Sequence, residues 1–489
     1  MSSRYPKHAS RDLVPKILAL LVFVACSGGD SEAPRRGSPP NVVVIVTDDQ
    51  AFSTLPHMKH VEKHLIRQGL RLDNFILNDP ICCPSRVTIL LGQYRHNHLH
   101  ETGWPGCASL FFIRGNHERA IGHLMHEAGY RTGMMGKYLN RYGVYYMGPP
   151  RKAGQHLMAG WDDYHVLTGN TKYVDFRMDD NGVVVHRPTG HQTDILAELA
   201  VRFIEDSSAA AKPFFLYITP QAPHSPVVAA KRHRGNYASE IAPRVPSFNR
   251  VDRRTQPSLS STTPLSKKAI SGLDISYRET LRSLQSVDEL VRDVVLALES
   301  EGLLENTYIF FTSDNGRHFG EHRIRRGKGT PFEESIRFPL IVRGPGVPRD
   351  VSLPHLVSNV DLHPTLLDLV GEQPGERVDG RSLLPLITAG DHAPPWRHAL
   401  VIESDHEKRN QGVPRFRGIR TLRYKLIEYK TGDTELYDLE VDPYETKSVL
   451  DRADPALVAA LRAHLDALAH CVGRDCQAVE NESVGRDGG

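Results

Sequence analysis

The chain has 489 residues, 24% of them charged and 40% hydrophobic, the balance of a folded globular protein rather than a disordered one. That length admits one large domain or two unequal ones, with ample room for a buried core. A formal charge of +2 argues against dedicated nucleic-acid binding, because no strong excess of Lys and Arg exists to neutralise phosphates.

In chain order, the first element is a targeting segment. Arg4, Lys7, Arg11 and Lys16 precede an apolar run from Ile17 to Ala25 that is too short to span a bilayer as a lasting helix. Val24-Ala25-Cys26, followed by Ser27-Gly28-Gly29-Asp30, is similar to a bacterial lipobox, although Phe23 stands where an aliphatic residue is usual. Residues 1–26 are therefore expected to be a signal peptide with a lipobox, and Cys26 a lipid anchor in the membrane of the cell envelope. Plain periplasmic or secreted export is the alternative. Residues 27–40, rich in Gly, Ser and Pro, are expected to be a flexible tether.

The folded body opens with Asn41-Val42-Val43-Val44-Ile45-Val46, an unbroken β-branched run that predicts a central strand covered on both faces. Phe214 to Thr219, Tyr308 to Thr312 and Leu340 to Val342 predict further strands. Helical periods lie between them, at Asp194 to Ile204 and from about Ser276 to Leu298, where Leu281, Leu284, Val287, Val291, Val294 and Leu298 recur every three or four residues. The alternation implies an α/β sheet protein. Ligands in such sheets bind at the carboxyl ends of strands. Thr47-Asp48-Asp49-Gln50 and Ser313-Asp314-Asn315-Gly316 both fall there. Three carboxylates and an amide oxygen suit a hard divalent cation such as Ca²⁺ or Mg²⁺, whereas an isolated Asp at a strand end more often caps a helix or shapes a turn.

Six cysteines fit an exported protein. Cys471 and Cys476 are close enough to staple the end of the last helix, Pro455 to His470. Cys83 and Cys107 are left over, and whether they pair depends on geometry that spacing does not reveal. The basic run Arg323-Ile324-Arg325-Arg326 suits either an anionic substrate or a solvated loop. Residues 231–268, rich in Arg, Pro and Ser, predict a long loop near the site because they follow His224 closely.

Cys82-Cys83-Pro84-Ser85-Arg86, with Leu90 and Gly92 beyond, resembles the signature of type I sulfatases; Leu91 departs from the threonine common there. The frame selects Cys82, which has Pro84 and Arg86 at its second and fourth following positions. In that family the matching cysteine is oxidised to formylglycine by a formylglycine-generating enzyme, and the aldehyde hydrate attacks sulfate esters. The resemblance extends along most of the chain. It implies Ca²⁺ held by Asp48, Asp49, Asp314 and Asn315 with residue 82, and Arg86 holding the formylglycine hydrate. It also implies sulfate contacts from Lys137 and Lys328, and His224 near the bridging ester oxygen. Many arylsulfatases read Gly-Lys-Trp-His where this chain has Gly136-Lys137-Tyr138-Leu139-Asn140, so the histidine's role is vacant or falls to Asn140 or another residue. Gly-Lys-Tyr-Leu-Asn, Cys-Cys-Pro-Ser-Arg and His96-Asn97-His98 together resemble the N-acetylglucosamine-6-sulfatase and extracellular endosulfatase branch.

What the resemblance implies is an alkaline-phosphatase-like α/β sandwich with a large mixed sheet flanked by helices and a smaller C-terminal antiparallel sheet. Residues 41–375 would form the catalytic domain, 376–480 the C-terminal subdomain and 481–489 a tail. The expected substrate is a sulfated carbohydrate such as 6-sulfated N-acetylglucosamine, with Asn140, His96 and His98 as candidate sugar contacts. His224 is the expected general acid for the leaving alcohol, with Lys328 as its rival. Two alternatives stay open: a phosphatase, phosphodiesterase or phosphonate hydrolase of the same superfamily, and a lipid-anchored glycan-binding protein never matured at Cys82.

Overall fold

The computed structural model describes residues 38–101, 106–144, 158–169, 172–406 and 412–484. The expected signal peptide, Cys26, all but the end of the tether and the last five residues of the tail lie outside the described residues.

Ten strands form one mixed sheet: β1 (Asn41–Thr47), β2 (Leu70–Ile76), β3 (Arg131–Gly136), β4 (Asp163–Leu167), β5 (Phe176–Asp180), β6 (Val183–Arg187), β7 (Phe214–Thr219), β8 (Thr307–Ser313), β9 (Leu340–Arg343) and β10 (Val351–Ser358). Their order is β10-β2-β9-β8-β1-β7-β3-β4-β5-β6. β1, β7 and β8 are buried along their whole length, as strands covered on both faces must be. The four central strands β8, β1, β7 and β3 run parallel, so their carboxyl ends share one edge. β2 points the same way, because β9 lies antiparallel to both β2 and β8.

Helices cover the sheet. Gln192–Ala209 extends the predicted helical period at both ends. The long helix runs Lys267–Ser300 and starts nine residues before the predicted Ser276, because its first turns are largely solvated and show no apolar period. Ser266 caps it by accepting a hydrogen bond from the Ala269 amide.

A second sheet, β11 (Ala399–Ser404), β12 (Phe416–Thr421), β13 (Tyr424–Tyr429) and β14 (Thr434–Asp438), is antiparallel throughout. With the Pro455–Leu468 and Arg474–Asn481 helices it builds its own apolar cluster around Ile419, Leu426, Leu461 and Leu465. Cys471 and Cys476 are bonded as expected, and Cys83 and Cys107, whose pairing spacing left open, form a second disulfide.

One backbone contact delivers a candidate residue to the shared edge. Gly136 ends β3 with φ 117°, and a Cβ built there would lie 2.2 Å from the Thr219 carbonyl oxygen on β7. Lys137 follows at once, its amide donating to the same carbonyl at 2.8 Å. Only glycine fits both the backbone angle and the approach. Gly136→Ala is expected to lower stability by more than about 1 kcal/mol and to displace Lys137, reducing turnover. Urea unfolding together with activity checks this; a wild-type midpoint and rate would show that β3 and β7 have room to part.

Candidate active site

The predicted residues converge on the common edge. Asp48 and Asp49 follow β1, Asp314 and Asn315 follow β8, Lys137 follows β3, and His224 lies in the turn after β7. Residue 82 opens the ten-residue Cys82–Leu91 helix after β2, and Arg86 lies one turn further on. Lys328 comes from the loop between β8 and β9. Neither aspartate of the first pair caps a helix. Asp49 adopts φ 65°, and its amide donates to Asp314 Oδ1 at 3.1 Å. The Asp314 amide in turn donates to the Thr47 carbonyl at 3.0 Å.

The three carboxylates are buried and crowded. Arg86, fully buried, donates Nε to Asp314 Oδ2 at 2.8 Å and lies 3.9 Å from Asp48 Oδ2 through Nη2. Its Nη1 donates to the Lys137 carbonyl at 2.7 Å, which fixes the guanidinium between two strand ends. The Lys137 ammonium pairs with Asp48 and the Lys328 ammonium with Asp49. Burial pushes the Asp48 and Asp49 pKa values up, but the lysines, His224 and neighbouring guanidinium groups more than reverse this, holding both carboxyls below the usual carboxylate range. Asp314 goes the other way, to about 6, because of burial and repulsion from Asp48.

These residues fit a divalent cation. Their donor set is all oxygen, and Asn315 Oδ1 is buried with no hydrogen-bond partner while its Nδ2 donates to Asp49 Oδ1 at 2.9 Å. Three carboxylates already face three cationic side chains. A divalent ion would therefore leave surplus positive charge, which suits an anionic ester.

Cys82 is the only free cysteine among the described residues, because its neighbour Cys83 is tied to Cys107. Its Sγ lies 3.2 Å from Asp48 Oδ1 and 3.6 Å from Asp49 Oδ1, and also contacts the Lys328 ammonium. Burial and Asp48 push the thiol pKa up despite both lysines, so the unmodified group is a poor nucleophile. His224 Nε2 is 3.8 Å from Asp49 Oδ2, and the His224 carbonyl accepts a hydrogen bond from Tyr173 at 2.8 Å. Burial lowers the His224 pKa, while Asp48 and Asp49 oppose the shift.

Other candidates are not part of this constellation. The His98 ring is buried against Thr88 Oγ1 at 3.1 Å, and its Nδ1 accepts a hydrogen bond from the His100 amide at 3.0 Å. His96 meets Glu403 at 2.9 Å and the Cys471 carbonyl at 3.2 Å, joining the short Arg95–His98 helix to the C-terminal elements. Both rings thus have hydrogen-bond partners within the protein. Leu139, at the position of the usual histidine, is 2% exposed and belongs to the main apolar core. Asn140 is partly exposed, with its Oδ1 buried and unpartnered and its carbonyl accepting from the Ala108 amide at 3.2 Å.

Arg317 was not anticipated. It lines a cavity of about 640 Å³ together with Asp49, Ser225, Arg326 and Lys328. Its place two residues after Asn315 was the available signal, since the strand-end rule applies to it equally.

A ten-stranded sheet thus carries carboxylates, lysines and one free cysteine together at its carboxyl edge, a cationic and oxygen-rich setting suited to an anionic ester. The sulfatase family profile matches residues 40–372, and that of the N-sulphoglucosamine sulphohydrolase C-terminal region matches residues 320–470. The human N-acetylglucosamine-6-sulfatase is 31% identical over 94% of this chain and 90% of its own length. An extracellular sulfatase of Drosophila melanogaster is 32% identical over 77% of this chain and 34% of its own, longer sequence. A protein solved in complex with its substrate D-glucosamine-2-N,6-O-disulfate superposes with a TM-score of 0.74 at 23% identity, covering 91% of this chain and 99% of that one, and so shares the alkaline-phosphatase-like fold. The chain belongs to the sulfatase family and is a sulfuric ester hydrolase. Sulfatases generally use formylglycine and a divalent metal.

Removing one partner of a buried charge cluster leaves the others uncompensated. Arg86→Met, with divalent ions chelated, is expected to cost about 3–5 kcal/mol of stability. Denaturant unfolding measures this. A loss below about 1 kcal/mol would mean that the lysines alone stabilise the carboxylates.

Proposed function

We propose that the chain hydrolyses sulfate esters on sugars, 6-sulfated N-acetylglucosamine foremost, using formylglycine made from Cys82 and a Ca²⁺ ion at Asp48, Asp49, Asp314 and Asn315. The observation that carries this reading is the placement of the one free described cysteine against Asp48, Asp49 and Lys328. Resemblance to the human N-acetylglucosamine-6-sulfatase along 94% of the chain supports the choice of sugar.

Sulfate monoesters are anionic, so attack at sulfur requires charge neutralisation. Lys137 and Lys328 supply it from two sides, and their ammoniums are already held by buried carboxylates, so little reorganisation accompanies reaction. A bound divalent ion supplies further Lewis-acid stabilisation of the sulfate oxygens. Residue 82 would carry the formylglycine hydrate, whose first hydroxyl would supply the nucleophile and whose second would supply an exit that serine or cysteine lacks. Arg86 anchors the start of the helix that carries residue 82 to Asp314 and to the Lys137 carbonyl. His224 sits at the mouth of the cluster, 33% exposed in its side chain, where it can protonate the leaving alcohol. The net result is ester plus water giving alcohol plus inorganic sulfate.

Two disulfides among the described residues support an oxidising compartment, and we place the protein outside the cytoplasm, tethered through a lipid at Cys26. Maturation then requires a formylglycine-generating enzyme.

Mass spectrometry of the residue-82 peptide from a host able to make formylglycine is expected to show the mass loss of thiol-to-aldehyde conversion. The same preparation should release sulfate from 6-sulfated N-acetylglucosamine far faster than phosphate from the matching phosphate ester. Cys82→Ala should lower kcat on the order of 10³-fold or more. Chelation should abolish turnover, with Ca²⁺ restoring it better than Mg²⁺. An unmodified cysteine, or preference for the phosphate ester, would overturn this assignment.

A further inference from the structure

The cavity beside the reaction centre has two unlike walls. One is the outer face of the Lys267–Ser300 helix, where Gly272, Ile275, Ser276 and Glu279 recur at helical spacing and Ile275 is 52% exposed. Facing it are Arg317, Arg326 and Lys328 from the loop after β8, with Asp49 and Ser225 adjoining. Glu279 pairs with Arg282 at 2.6 Å along its own helix and makes no ion pair with the opposite guanidinium groups.

Arg317 is unusual among these groups. It is 6% exposed, yet it has no salt bridge within 4 Å among the described residues. Nη2 donates to Ser225 Oγ at 2.7 Å, and the guanidinium lies 5.5 Å above the Phe319 ring, which fixes its plane. Nη1 is buried and has no hydrogen-bond partner. Buried guanidinium donors are ordinarily satisfied, and an orphaned one lining an open cavity points to a ligand acceptor. Arg326 reinforces the positive field from an exposed position on the same wall.

On the sulfatase reading Lys137 and Lys328 meet the sulfate that reacts, and Arg317 lines a cavity that includes Lys328 but not Lys137. We propose that Arg317, helped by Arg326, binds a second anionic group of the substrate, a sulfate or carboxylate on the same sugar or its neighbour, and so selects multiply charged glycans. This rests on the sulfatase reading above. The guanidinium fork matches either anion with paired N–H donors, whereas a singly charged sugar leaves Nη1 unsatisfied. The exposed Ile275 face opposite gives the apolar side of a sugar ring a surface to lie on.

The test compares kcat/KM on three substrates: 6-sulfated N-acetylglucosamine, its N-sulfated counterpart, and a 6-sulfated glucosamine linked to a uronic acid. The wild type should prefer at least one doubly charged substrate by about tenfold or more, the worth of one charge-assisted contact. Arg317→Gln should lower that ratio about tenfold, mainly through KM, and Arg317→Lys should restore part of it. Arg326→Gln, at an exposed position with no burden on folding, should lower the same ratio severalfold. Which substrate is preferred tells whether the bound group is sulfate or carboxylate. A wild type active on all three without preference, or variants that slow all three equally, would overturn the proposal. Absence of activity on every sulfate ester would instead refute the sulfatase reading beneath it.

Discussion

Three carboxylates buried at the ends of parallel strands are the constraint on which the rest of this structure depends. Asp48, Asp49 and Asp314 lose hydration when the sheet forms, and each repels the others at short range. Arg86 opposes that cost because it is equally buried and touches two strand ends at once, pairing with Asp314 and reaching the Lys137 carbonyl. A lysine there would offer a point charge and could not span both contacts in one plane. The sheet supplies the rigidity. Four adjacent parallel strands bring residues far apart in sequence to one edge, so the cluster is as stiff as the hydrogen bonds beneath it.

The paired cysteines show how one motif separates two roles. Cys82 and Cys83 are neighbours at the start of a helix, where successive side chains point about a quarter turn apart. Cys83 therefore turns from the carboxylates and bonds to Cys107, fastening the helix to a following segment. Cys82 turns toward Asp48 and Lys328 and stays unpaired. The disulfide holds the chain that presents residue 82 while removing the adjacent thiol as a competitor.

Much of this was legible because the relevant signals are local. The β-branched run at Asn41–Val46, the strand at Phe214–Thr219 and the acidic pairs that end β1 and β8 announce themselves by composition and position. What was not legible depends on distant partners. The strands β4 to β6 are short and half exposed, and their pairing is read only from the register. The ring partners of His96 and His98, Glu403 and Thr88, are not visible from the His96-Asn97-His98 motif. Leu139 is the reverse case. Its apolar character, a departure from the family pattern at that position, is explained by burial in the main core, where a histidine would need a hydrogen-bond partner.

The second sheet acts on the site through a loop it does not itself form. The segment after β8 carries Arg317, Arg326 and Lys328, so three cationic side chains of one cavity travel together. Lys425 on β13, fully buried, donates to the Pro331 carbonyl at 2.7 Å and to Glu333 Oε1 at 3.1 Å, while Arg420 on β12 reaches Glu333 at 2.9 Å. Glu445 completes the bracket by accepting from the Glu333 amide at 2.8 Å. Next to Lys328 itself, the Gly329 amide donates to the Pro80 carbonyl at 3.0 Å, two residues before Cys82. Lys328 is therefore clamped between the strand-end turn that presents the cysteine and the C-terminal sheet. A cation that pairs with a buried carboxylate such as Asp49 has little positional latitude, and a loop anchored at Gly329, Pro331 and Glu333 supplies that precision where a free surface loop would not.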